Sequence, residues 1–118
     1  MSSKFGLSTD IPVTGDWDGD GTTEIGVYRP STGLWYLDSN GNNAFNNGVD
    51  TVSGKFGVST DKPATGDWNS GGITEIGVYH PSNGFWYLDT SSNNSWDNSV
   101  DTSSRFGLAT DIPVTGKW

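Results

Sequence analysis

The chain repeats itself, and that constrains its architecture before any local assignment can. Phe5-Gly6 returns as Phe56-Gly57 and Phe106-Gly107, and Asp16-Trp17 as Asp67-Trp68 and, altered, as Lys117-Trp118. The run EIGVYRPSTGLWYLD (24–38) returns as EIGVYHPSNGFWYLD (75–89). The period is 51 residues and then 50, one residue being lost near Ser103-Ser104. A repeat of this length is one supersecondary unit that cannot bury its apolar surface alone and must pack on its neighbours. The 118 residues form one repeat region: repeat 1 (4–54), repeat 2 (55–104) and the opening of a third (105–118).

Within a unit the punctuation predicts four short strands. The first runs from Pro12 to Trp17, and the second from Glu24 to Tyr28, where Pro30 stops it. The turn PSTG leads into Leu34 to Leu37, and a looser segment ends in a strand over Val52 to Phe56. The 17 glycines, with abundant Asn, Ser, Thr and Asp, disfavour a long helix. A hydrophobic fraction of 31% is low for a chain that builds its own core, and six tryptophans offset part of that deficit. The expected fold is all-β: propeller blades of four antiparallel strands, two blades plus the first strand of a third. Two blades leave faces and edges uncovered, so oligomerisation is expected to complete a ring. Whole copies give a homotrimer of about six blades or a homotetramer of about eight.

Fourteen acids against six bases give a net charge of −8, which argues against nucleic acid and anionic lipid and makes cations the natural partners. There is no cysteine, hence no disulfide or thiolate metal site. No apolar run reaches signal-peptide or membrane-span length. No targeting signal or membrane insertion is therefore expected, and the chain reads as intracellular, a mature form, or an excised piece beginning with an added Met1.

The stretch GDWDGDGTTEIGVYRP (15–30) places carboxylates at alternate positions, Asp16, Asp18 and Asp20, with Gly21 to let the backbone curl and Glu24 at position 9. Calcium takes six to eight oxygens around one point, and this loop supplies them, with the Thr22 carbonyl between Asp20 and Glu24. The opening also fits an EF-hand loop, but Val27 stands where that motif needs its twelfth-position Glu. Unneutralised, such carboxylates would repel one another, which favours a metal loop over a plain Asp/Gly turn. The second copy keeps Asp67, Asn69 and Glu75 but has Gly71 in place of Asp20, so weak binding or none is expected there. Fainter versions follow in each unit: Asp38, Asn40, Asn42 and Asn46, then Asp89, Ser91, Asn93 and Asp97. With so few carboxylates these read as Asx-type turns before metal sites.

Together, Phe5-Gly6, the loop Asp16-x-Asp18-x-Asp20-Gly21-x-x-Glu24 and the Gly26…Pro30 segment resemble the FG-GAP repeats, the integrin-α-like, VCBS-related family, over essentially the whole chain. The resemblance implies four-stranded propeller blades with Ca2+ held between the first two strands. It further implies a role in adhesion or recognition, outside the cell or on its surface. Glu24 stands where that family usually has Asp, and two blades are far fewer than its closed rings.

Catalysis is disfavoured, because the single histidine, His80, has Arg29 as its counterpart in repeat 1 and reads as a surface or edge residue. A second reading is a carbohydrate-binding module presenting Trp35, Tyr36, Trp86, Tyr87 or Trp96, with Asn94 and Asp97 as polar neighbours. Of these, Trp96 in its polar loop is least explained by packing. A third is a purely structural repeat fragment, natural or engineered, that assembles into a ring; beside itself, carbohydrate or another protein is a candidate partner. The ends add a puzzle: 4–17 and 105–118 agree at eleven of fourteen positions. Calcium is expected to favour the N-terminal copy in the blade, since the C-terminal copy would bring Lys117 where Asp16 belongs.

Overall fold

The structure is a computed structural model that describes residues 5–115. Lys4 and the Lys117-Trp118 pair, on which part of the end-segment expectation rests, lie outside the described residues. Eight strands form in chain order: β1 (Ile11–Gly15), β2 (Glu24–Arg29), β3 (Leu34–Leu37), β4 (Thr51–Val52), β5 (Lys62–Gly66), β6 (Glu75–His80), β7 (Phe85–Leu88) and β8 (Thr102–Arg105). They make two four-stranded antiparallel sheets, β1-β2-β3-β4 and β5-β6-β7-β8, with no helix among the described residues. Each sheet is a simple meander, one strand hydrogen-bonded to the next.

Local sequence accounts for the turns. Arg29 and His80 each accept a bond at 2.9 Å from the N–H of a glycine four residues on, Gly33 and Gly84. These glycines have φ of 73° and 72°, a left-handed conformation that favours glycine. The registers match between sheets: Val13 faces Gly26 and Gly26 faces Leu37, as Ala64 faces Gly77 and Gly77 faces Leu88.

Three expected boundaries are corrected. The first strand ends at Gly15 rather than Trp17, because the Trp17 N–H leaves the ladder to donate to Glu24 Oε1 at 2.8 Å. The fourth strand of repeat 1 is Thr51–Val52 rather than Val52 to Phe56. Beyond it Gly54 N–H turns to the Asn94 carbonyl of the other sheet and Phe56 N–H to Gly33. In repeat 2, one residue shorter here, the ladder runs on to Phe85↔Arg105. Third, 111–115 is not a strand, although it lies beside β5 as β5 lies beside β1. Thr65 Oγ1 donates to Thr14 O at 3.0 Å, and Thr115 Oγ1 to Thr65 O at 3.1 Å. Among the described residues, 111–115 has no hairpin partner of the kind that β2 gives β1 and β6 gives β5.

The core is the seam between the sheets. Val13, Trp17, Tyr28, Trp35, Leu37 and Phe56 pack with Ile76 and Val78 from β6. Burying a phenylalanine side chain contributes about 1.5–3 kcal/mol. Phe56, on the connection between sheets and 1% exposed, is thus a main contributor to holding them together.

Candidate metal site

Asp16 follows β1 directly and Glu24 opens β2 opposite Gly15, so the hairpin brings both ends of the acidic loop together. Within the loop, Asp16 Oδ1 accepts from the Gly19 N–H at 2.8 Å and the Asp20 N–H at 3.1 Å, and Oδ2 from the Gly21 N–H at 2.8 Å. Asp18 Oδ1 accepts from the Asp20 N–H at 3.1 Å, and Asp20 Oδ1 from the Thr22 N–H at 2.8 Å. Each carboxylate thus turns backbone toward the loop centre, and one oxygen each of Asp16, Asp18, Asp20 and Glu24 lies within 4.8 Å of the others. This cluster could hold a metal ion. Burial, reinforced by the three aspartates, raises the Glu24 pKa despite the lowering bond from Trp17 N–H. For Asp18 the Asp20 N–H bond lowers the pKa most, but desolvation and the Asp20 and Asp16 carboxyls together outweigh it and the net shift is upward. Burial comes first among what raises both, and the part that the neighbouring carboxylates add is one a cation would relieve.

The neighbouring sheet braces this loop, which spacing along the loop could not reveal. The Asp16 N–H donates to Thr74 Oγ1 at 2.8 Å, and the Thr74 N–H returns a bond to the Asp16 carbonyl at 2.9 Å. Ile73 lies against Gly19, where a Cβ would come within 3.0 Å of Ile73 Cγ1. The one signal for this contact was the repeat itself, which implies stacked units.

The second loop keeps the shape and loses the open oxygens. Asp67 accepts from the Gly71 and Gly72 N–H groups at 2.9 Å each, and Glu75 Oε1 from the Trp68 N–H at 2.6 Å. The Asn69 NH2 donates to Thr90 O and Ser92 Oγ at 3.0 and 3.1 Å while its neutral Oδ1 accepts from the Gly71 N–H at 2.8 Å, and the Ser92 hydroxyl takes up an oxygen of the glutamate by donating to Glu75 Oε2. In repeat 1 the position of Ser92 is Gly41, which sits against Glu24 with no hydroxyl to offer. Loss of Asp20's counterpart was legible in the sequence; the Gly41/Ser92 difference, seventeen residues past each glutamate, was not.

The fainter clusters are internally bonded turns. Asp38 Oδ2 accepts from the Asn43 N–H at 2.8 Å, Asn40 Oδ1 from the Asn42 N–H at 3.2 Å, and Asn46 Oδ1 from the Asn40 and Asn42 amides at 3.0 and 2.6 Å. In repeat 2, Asp89 Oδ2 accepts from the Asn94 N–H at 2.8 Å, Ser91 Oγ lies 3.2 Å from both Asp89 and Asp97, and the Asn93 amide bonds Asp97. Burial raises the Asp89 pKa. Asp50 and Asp101, absent from the sequence reading, close these loops by accepting the N–H groups of Asn46 and Asp97. The one buried oxygen without a partner among the described residues is Asp38 Oδ1, whose counterpart on Asp89 has Ser91.

The candidate sugar-facing rings are mostly packed. Trp35 is fully buried and its indole N–H donates to Phe56 O at 3.0 Å, so it presents no face to a glycan. Trp96 is half-buried, edge-on to Phe56 and Tyr87 at 5.8 and 5.4 Å, so packing does explain it. The Arg29 guanidinium covers Tyr36 at 4.3 Å. Trp86 lines a cavity of 620 Å3, and Trp96 and Tyr87 line a smaller one of 330 Å3 beside Phe56 and His80. His80 pairs with Asp61 as Arg29 pairs with Asp10 at 2.9 Å, and Arg29 lowers the Asp10 pKa. The histidine is thus one half of a repeated strap across the open end of the β5–β6 hairpin, as Arg29 is for β1–β2.

Comparison of the chain with known protein families, curated proteins and solved structures returns no match.

Proposed function

We propose that the chain is a non-catalytic, calcium-binding β-propeller repeat module of the FG-GAP kind, serving recognition, adhesion or scaffolding at the cell surface or outside the cell. The carrying observation is the convergence of Asp16, Asp18, Asp20 and Glu24 on one point in a tight loop, with the second Glu24 oxygen unclaimed by the serine that caps Glu75. Oxygen-only donors, several of them anionic, in a loop shaped by glycines suit a large hard cation better than a softer metal. The wet, exposed position of Asp18 and Asp20 suits the irregular, many-oxygen shell of calcium better than the strict octahedron of magnesium. The up-and-down four-stranded sheets, repeated and stacked on one seam, support the propeller reading.

The test is calorimetric titration with calcium, using Asp18→Ala as control. One ion per chain in the parent and none in the variant supports the reading; equal uptake by both sinks it.

A further inference from the structure

Phe56 and Phe106 are the same residue of successive repeats, yet one is 1% exposed and the other 80%. Ala64 and Val114 differ likewise, 6% against 69%. What buries the first of each pair is the second sheet: Ile76 and Val78 fill the seam and Trp96 lies edge-on to Phe56. On the far side of the second sheet the same surface is built but uncovered. Tyr79, Trp86, Leu88, Phe106, Ile112 and Val114 line a 620 Å3 cavity there, and a second of 570 Å3 opens beside Asp67 and Trp68.

The bonds that prepare the internal seam are repeated at this open face. Trp35 Nε1 donates to Phe56 O at 3.0 Å and Trp86 Nε1 to Phe106 O at 2.9 Å. Tyr28 Oη donates to Val58 O at 2.8 Å and Tyr79 Oη to Leu108 O at 2.6 Å. The missing half is present on the first sheet. Ile25, Val27 and Phe45 are the counterparts of Ile76, Val78 and Trp96. Phe45 already stands edge-on to Phe5 and Tyr36, as Trp96 stands to Phe56 and Tyr87. Thr23, the counterpart of the bracing Thr74, is exposed.

We propose that the open face of the second sheet is a docking site for the first sheet of a second copy of this chain, in the register by which the two sheets pack within one chain. The contact is head-to-tail, so it propagates until a ring closes. The internal connection, 56–65, bonds backward to Trp35 and Tyr28 and forward through the β5–β6 ladder. Segment 106–115 makes only the backward set and segment 5–14 only the forward set, and the two differ at a single position, Ser8 against Ala109. Each junction between copies therefore uses one segment for both sets and releases the other. The proposal does not depend on the metal.

In this register Asp67 of one copy meets Thr23 of the next, as Asp16 meets Thr74 within the chain through two main-chain-anchored bonds. Such close backbone approach accommodates a disulfide, and the chain has no cysteine to compete. The experiment is the full chain carrying Thr23→Cys and Asp67→Cys, both exposed loop positions, read by non-reducing gel and light scattering beside the parent chain, with and without a calcium chelator. The expected result is a parent mass that is a whole multiple of the chain and a covalent ladder in the double variant that neither single variant extends beyond dimer. A monomeric parent overturns the proposal, including one whose Trp fluorescence is quenched by a glycan, which would give the Trp86 face to sugar. A multimer without the ladder overturns the register. Assembly that survives chelation together with a failed calcium titration would remove the metal reading alone.

Discussion

The two acidic loops, 16–24 and 67–75, have the same fold and unequal chemistry. In both, the first aspartate gathers the N–H groups of the turn and the closing glutamate accepts the N–H of the tryptophan next to that aspartate. The difference lies in where the remaining oxygens go. In the second loop a serine from the β7–β8 connection caps the glutamate and an asparagine reaches out to that connection. In the first, glycine stands at the serine's place and a threonine of the next sheet steadies the backbone from the other side. Loop shape is thus set within nine residues, whereas the availability of ligand oxygens is set by residues on other connections.

The sharpest way to break the comparison is to remove an acid the second loop lacks. Asp20→Gly, which copies Gly71, should weaken calcium binding by about a hundredfold, roughly 2.8 kcal/mol, in calorimetry. Next, Gly41→Ser should hand Glu24 the cap that Glu75 has and weaken binding about tenfold, roughly 1.4 kcal/mol. Gly41 has φ of 71°, but Ser92 occupies the same position at 60°, so the fold accommodates the change. An unaltered affinity in Gly41→Ser would show that the serine is immaterial. Thr74→Val removes the hydroxyl that accepts the Asp16 N–H and should cost about 1 kcal/mol of stability in a denaturant titration, with a smaller loss of affinity. The equivalent change at exposed Thr23 should do less in a monomeric preparation.

The last prediction concerns protons. The folded pKa of Glu24 is raised, so its carboxyl regains a proton at a higher pH than a free glutamate does. Without metal, ionising it opposes folding: that penalty is fully present above the raised pKa and is relieved as pH falls through it. Calcium requires the ionised form, so uptake should decline with falling pH from above the ordinary glutamate range. Asp10 runs the other way, since Arg29 holds its pKa down. The stability from that pair is present above the ordinary aspartate value and lost only as pH falls through the depressed one. Calorimetric titrations across the acidic range, beside an Arg29→Gln variant that loses only the second effect, separate the two.

The sequence carried the strands because Pro30, Gly33 and the β-branched and aromatic content of the EIGVY run act locally, and it carried the first loop because all four acids sit within nine residues. It did not carry Thr74 on Asp16, Ser92 on Glu75 or Asp10 on Arg29, because each depends on what stacks or pairs across a gap of seventeen residues or more. Trp96 misled for the same reason: its own loop is polar, and the rings that cover it are Phe56 and Tyr87. The short β4 reflects Ser53, whose hydroxyl takes the Trp35 N–H in place of a ladder carbonyl, and Gly54, whose N–H turns to Asn94.

The tryptophan and tyrosine bonds at the seam and at the open face end on main-chain carbonyls, of Phe56 and Val58 in one case and Phe106 and Leu108 in the other. A carbonyl is offered by every residue, so these two bonds make no demand on side chains, and the demand at the seam comes from the packing of Phe56 against Ile76 and Val78. At the level of the gene, a crossover between misaligned copies would add or delete a unit whose new joint is chemically the same as the old.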